Sequence, residues 1–312
     1  FEGDLDIERL VLSISAETGV SIEAENTLII FDEVQEVPKA LTSLKYFYEN
    51  APQYAIVAAE SLLGVALHQG TSFPVGKVDF LDLYPLNFRE FLCAMGEKQF
   101  VSMLDSCDTQ MVTVFKTKYI ERLREYYFVG GMPEVVKDFS EKKDYNRVRA
   151  IQKNLINYYQ QDFSKHAEIK LVPRLNLVWN SIPMQLAKEN KKYIYGQVRE
   201  GSRAKDFELA IQWLLDCGLI HKVQRIQKPD LPLKAYIDFD AFKLFLVDIG
   251  LLIAMTDLDA KVIIEGNKIF TEFKGALTEQ YILQQLISDV GLIPNYLSLI
   301  HISEPTRRSY IS

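Results

Sequence analysis

The stretch Thr27–Pro38, TLIIFDEVQEVP, holds four apolar residues, Leu28 to Phe31, then two adjacent carboxylates, Asp32 and Glu33, and closes on a proline. A short continuous apolar run bounded by polar residues has the signature of a buried strand in a parallel sheet. Adjacent acids repel and neither readily leaves water, so a strand that ends in them asks for positive charge at its edge. Pro38 suits the first turn of a helix, where its missing N–H does no harm, and the spacing predicts that helix to run to about Glu49. A second apolar run, YAIVAA at Tyr54–Ala59, predicts another buried strand, and KVDFLDL at 77–83 alternates as a third strand would. Upstream, residues 5–17 (LDIERLVLSISAE) carry apolar side chains at helical spacing. Strand, helix and strand in this order predict a βαβ unit with a right-handed crossover.

Beyond Tyr84-Pro85 the periodicity turns helical, over 87–95, 98–106, 113–128, 132–140, 143–161 and 171–188. The break YYFVGGMPEVV at 126–136 contains Gly130-Gly131 and Pro133, which end one helix and begin the next. A helix over Ala204–Cys217 stops at Gly218, and two strand-like runs follow, Leu219–Ile226 and Lys234–Phe239, around a turn with Pro229 and Pro232. Helix followed by a β-ribbon is the order of a winged helix-turn-helix. An amphipathic helix over Phe273–Val290 comes last. LSLIHISEPTRRS at 297–309 resembles the translated read-through of a sequencing adapter, so 298–312 are set aside from fold reasoning and His301 carries no functional weight.

A chain of 312 residues has room for two or three domains, each with its own core. Its 48% hydrophobic and 12% aromatic content is that of a globular protein. With a net charge of −7 there is no global basic field to draw it to nucleic acid or an anionic membrane, so any such binding is local. The segment 191–228 offers one such place, with eight basic residues against four acidic ones. Arg199, Arg203 and Lys205, at the start of the expected recognition helix, are its candidate DNA contacts, and a winged fold used for protein contacts is the alternative. Cys93, Cys107 and Cys217 are odd in number and form no CxxC pair, which suits free thiols in a reducing, cytoplasmic compartment. No apolar run is long enough to span a membrane. The N-terminus, FEGDLDIERL, has neither an initiating Met nor a signal-peptide pattern and reads as the middle of a longer chain.

The chemistry of the acidic pair follows from its place at a strand end. In nucleotide hydrolases of the P-loop class an apolar strand ends in an Asp that holds the Mg2+ shell, and in one branch the next residue is a Glu that orients the attacking water. The strand fixes both carboxylates at the sheet's C-terminal edge, and the ion's charge relieves their repulsion. The plain alternative is a strand that ends in a solvated turn. Tyr54–Ala59, one crossover later, ends in polar Glu60-Ser61, which places Ser61 to sense a γ-phosphate. The phosphate loop, GxxxxGK followed by Ser or Thr, is absent from the sequence. GTSFPVGKV at 70–78 has five residues between its glycines, Val78 where a hydroxyl is needed, and a position downstream of the acidic strand. Truncation at the N-terminus is the simplest expectation.

Taken in order, LIIFDEVQEVPKAL, VAAESLLGVAL, FLDLYPLNFREFL, YYFVGGMPEVV, LLDCGLIHKV and GALTEQYILQQL resemble a family of prokaryotic AAA+ ATPases whose C-terminal half is a domain of unknown function similar to the restriction-endonuclease fold. The resemblance runs to about Tyr296. It implies an α/β P-loop (AAA+/ASCE-type) ATPase core remnant over 1–86 and a helical lid or connector over 87–190. A winged-helix module over 191–256 and the start of a nuclease-like α/β domain over 257–297 follow. It implies ATP and Mg2+ as cofactors, Asp32 as the Mg2+-linked acid, Glu33 as the water-activating acid and Ser61 as the sensor-side residue. Arg89, in LNFREFL, is a candidate nucleotide contact from the lid side or a helix-surface Arg. Glu60 departs from the pattern, where a small residue is expected. Glu279 sits where the nuclease-like domain has its first acid, while the strands that would complete a metal site lie outside this chain. The expected function is an ATP-driven conformational switch, with this chain inactive for want of a phosphate loop. The alternative is a DNA- or protein-binding module on a non-catalytic scaffold.

Overall fold

The computed structural model describes residues 6–59, 74, 76–188, 192–265 and 271–297. The chain divides into two compact units at Leu83/Tyr84, the short turn Asp216–Gly218 grouping with the first.

In the first unit, helix α1 (Ile7–Thr18) starts at Asp6, whose carboxylate accepts the Arg9 N–H, and ends at Gly19 in the left-handed region. Strand β1 (Leu28–Phe31) pairs in parallel with β2 (Ala55–Ala58), in the register Leu28 opposite Ala55, and α2 (Pro38–Asn50) connects them. This is the predicted βαβ unit. Its core is one-sided. Ile7, Leu10 and Val11 of α1 meet Ile29, Phe47 and Ala51, while Val34 packs with Ala40, Leu41 and Leu44. Two expectations fail here. Leu28 and Ile30 are 54% and 61% exposed, so β1 is buried on one face only. The alternating segment Lys77–Leu83 forms no strand, and Phe80, Leu81 and Leu83 are largely exposed. Alternation supplies a face, but a strand also needs an edge to pair with.

The second unit is mainly helical: α3 (Phe88–Ala94), α4 (Lys98–Asp105), α5 (Thr109–Val114), α6 (Lys116–Val129), α7 (Pro133–Lys142), α8 (Tyr145–His166) and α9 (Val172–Ala187). The helix expected over 113–128 is two, parted at Phe115. After the short α10 (Tyr195–Val198), the helix expected over 204–217 begins as a 3-10 turn at Ala204–Asp206 and becomes α11 only at Glu208–Asp216. Strands β3 (Ile220–Ile226) and β4 (Ile237–Leu246) form an antiparallel pair with an irregularity at Gln224/Arg225. The predicted second strand, Lys234–Phe239, lies too early, because Leu233–Tyr236 is a 3-10 turn and the strand runs on to Leu246. Then come α12 (Ile249–Met255) and α13 (Ala260–Ile264), neither of which was expected from the sequence, α14 (Thr271–Val290) and β5 (Tyr296–Leu297), which pairs in parallel with β3.

Helix α14 holds this unit together through glutamines. Gln280 accepts the N–H of Leu246 and donates to its carbonyl, so the end of β4 is satisfied by one side chain. Gln284 accepts the Ile249 N–H and donates to Asp248, and Gln285 accepts the Phe88 N–H. Asp248 is fully buried and also accepts from the backbone of Gly131 (2.6 Å) and Leu251 (3.0 Å). Burial raises its carboxyl above the ordinary range, against the pull of those N–H groups. The glycine pair of YYFVGGMPEVV is a packing device. A Cβ on Gly130 would collide with the Asp248 carboxylate, and one on Gly131 with the Leu86 carbonyl.

Candidate active site

The acidic pair sits where two backbone hydrogen bonds cross from one strand end to the other. The Ala59 N–H donates to the Phe31 carbonyl at 2.7 Å, and the Val34 N–H donates to the Ala59 carbonyl at 3.4 Å. Asp32 and Glu33 are thereby bracketed, at the C-terminal edge of the parallel pair, by residues tied to the end of β2. Val34, only 2% exposed, anchors the turn in the core, while Asp32 and Glu33 both face water. The strand is thus pinned on either side of the acids, and both acids lie in the exposed turn between the two bonds.

The turn is strained. Glu33 has φ 51° and ψ 45°, a left-handed conformation uncommon for a residue other than Gly, Asn or Asp. The Asp32 carboxylate accepts the Glu33 N–H at 3.0 Å through Oδ1, which helps to hold that conformation. Such backbone strain of about 1 to 3 kcal/mol is found at functional sites where surroundings over-determine it.

Among the described residues, no group of three or more His, Cys, Asp or Glu side chains converges as a metal cage. Two adjacent oxygen donors on a fixed edge fit a hard cation that keeps most of its waters and takes its remaining ligands from a phosphate, as Mg2+ does.

The other residues singled out in the sequence are placed as follows. Ser61 and Glu60 lie outside the described residues, as does most of the 70–78 segment. Arg89 belongs to the second unit, on α3, where its Nε lies 3.2 Å from Asp105 Oδ1 with both side chains largely in solvent. Glu279 pairs with Lys243 at 2.7 and 3.0 Å. Arg199, Arg203 and Lys205 are exposed around the turn before α11. Further along the basic segment, Arg225 is held by Asp238 and Lys228 by Asp230, and Lys222 lies 4.4 Å from the centre of the Phe242 ring. Among the described basic residues of 191–228, those without such a partner are Lys192 and, on the turn, Arg199, Arg203 and Lys205.

No helix of the described residues is long and apolar enough to cross a membrane. Residues 3–92 match the family model of the AAA domain, and residues 120–262 match that of a domain of unknown function (DUF8612). Among solved structures, the Walker-type ATPase PABY2304 of Pyrococcus abyssi is similar over 81% of this chain and 68% of its own, at 13% identity and a TM-score of 0.48. Among curated proteins none matches. The N-terminal region is therefore a P-loop ATPase-like α/β region similar to the AAA domain, and the region after it is similar to a domain of unknown function.

Proposed function

We propose that the edge at Asp32 and Glu33 is the Mg2+-nucleotide edge of an ATP-dependent switch protein. The observation that carries this reading is the bracketing of the two acids by the Phe31–Ala59 and Val34–Ala59 hydrogen bonds, which sets them at the C-terminal edge of a parallel pair. That edge is where ligands of open α/β sheets bind. In this reading Asp32 holds the ion's hydration shell, Glu33 orients the attacking water from its strained turn, and Ser61 reads the γ-phosphate. Mg2+, when bound, would neutralise the phosphate oxygens and the acids' mutual repulsion. The sequence contains no GxxxxGK loop followed by Ser or Thr, so we expect the chain as it stands to hold nucleotide weakly and not to turn it over. Titrating Mg2+-ATP into the protein and its Asp32→Asn variant, with phosphate release followed in parallel, tests both parts.

A second reading concerns the other unit. Helices α9, α10 and α11 followed by the β3–β4 ribbon keep the order of a winged helix-turn-helix, and the Tyr193 N–H donates to the Phe242 carbonyl on β4 at 2.6 Å. The exposed Arg199, Arg203 and Lys205 favour contact with DNA over a purely internal role. The Lys243 pair favours a packing role for Glu279 over a place in a nuclease centre.

A further inference from the structure

Helix α9 and the turn that leads from α10 to α11 line an open surface cleft of about 290 Å3 within the second unit. Arg174 reaches it from the first turn of α9 and Arg199 from the C-terminal end of α10. Ser202, Glu200 and Asp206 complete its polar lining, and the buried ring of Phe207 forms part of its wall. The turn is tight, with Gly201 at φ +76° and open space beyond its Cα, so the backbone leaves the mouth clear.

The formal charges of this cleft balance, two guanidinium groups against Glu200 and Asp206, yet they are not joined in ion pairs. Among the described residues neither Arg174 nor Arg199 has an ion-pair partner, although two carboxylates line the same space. One of those is already committed: Asp206 Oδ2 accepts the backbone N–H of Arg203 at 2.8 Å and caps the Ala204–Asp206 turn. The donors left open to a ligand are two guanidinium groups and a half-buried serine hydroxyl, with Glu200 exposed beside them and Asp206 turned to the backbone of Arg203.

We propose that this cleft binds a phosphate group, with Arg174 and Arg199 as the two guanidinium forks and the Ser202 hydroxyl as a third donor. Planar guanidinium groups match phosphate oxygens two at a time, which a pair of lysines would not do. The group belongs either to a nucleic-acid backbone or to a small phosphate compound. Arg203 and Lys205, exposed beside it, extend the positive surface in the way a polyanion would use. The nucleic-acid source rests on the second reading above, and neither source depends on the nucleotide edge of the first unit.

The test uses the full chain with two probes, inorganic phosphate by calorimetry and a short labelled DNA duplex by anisotropy at several salt concentrations. Arg174→Ala and Arg199→Ala each weaken whichever probe binds by about tenfold or more, and each lowers the duplex's salt slope by about one. Glu200→Gln tightens binding. All three side chains are exposed, and thermal unfolding checks that the variants stay folded. Duplex binding that millimolar phosphate does not displace identifies the backbone as the source, while binding of phosphate alone identifies a small compound. Failure of both probes to bind, or equal affinity in the wild type and both arginine variants, overturns the proposal. Mg2+-ATP binding that persists in the arginine variants separates a failure here from a failure at Asp32.

Discussion

Gly130 and Gly201 share a backbone φ of +76° but ask different things of the position. Beside Gly201 a Cβ would meet nothing, so Gly201→Ala carries only the left-handed penalty, about 1 kcal/mol. Beside Gly130 it would strike the Asp248 carboxylate, a buried group whose three N–H donors fix its place. Gly130→Ala is therefore expected to cost about 3 kcal/mol or more, and urea unfolding of the two variants side by side checks the contrast. A second prediction concerns His221 on β3, whose imidazole burial pushes down to about 4. Between pH 6.5 and about 4 the unfolded chain takes up a proton that the folded chain refuses, so stability falls as pH falls, by at most about 3 kcal/mol. His221→Gln should lose less stability than the wild type across that window. At this scale the sequence was legible where chemistry is local. The Asp32-Glu33 pair and the glycine turn could be read directly, whereas Asp248, Gln280 and Gln284 could not, because their partners are distant along the chain.

Among the elements, helices were the most legible, since period and caps are both written locally: Asn87 with Glu90 forms a capping box, and Asp108 and Asp144 cap α5 and α8. The errors share one cause, that a strand or break depends on what it packs against. Lys77–Leu83 alternates without a ladder, and α12 hides in a continuous apolar run that periodicity cannot assign. Strand β1 makes the point testable. Ile29 is 5% exposed and Ile30 is 61% exposed, although they are neighbours of the same type. Ile29→Ala should cost about 2 to 4 kcal/mol, while Ile30→Ser should stay within about 0.5 kcal/mol. Equal losses in the two unfolding curves would mean that the other face of the sheet is covered in solution.

For the whole molecule, the sequence carried the AAA-like character of the N-terminal region and the presence of a domain of unknown function after it, and the matches over 3–92 and 120–262 agree on those two points. The order of motifs made this readable, since each motif alone also fits a plain strand end or a solvated helix. The packing of the helical segment, the β-ribbon and α14 into one unit was not readable, because it rests on glutamine-to-backbone bonds between distant residues, one of them across 197 positions and others across 34 and 35. The central claim remains the assignment of the Asp32 edge to a Mg2+-bound nucleotide. It is tested most directly by Mg2+-dependent binding of ATP to the 312-residue chain beside its Asp32→Asn variant, with phosphate release recorded in the same samples. The account predicts weak binding that requires Mg2+, a loss of about tenfold or more in the variant, and no turnover. Binding that ignores both Mg2+ and Asp32, or efficient hydrolysis by this chain, would contradict it.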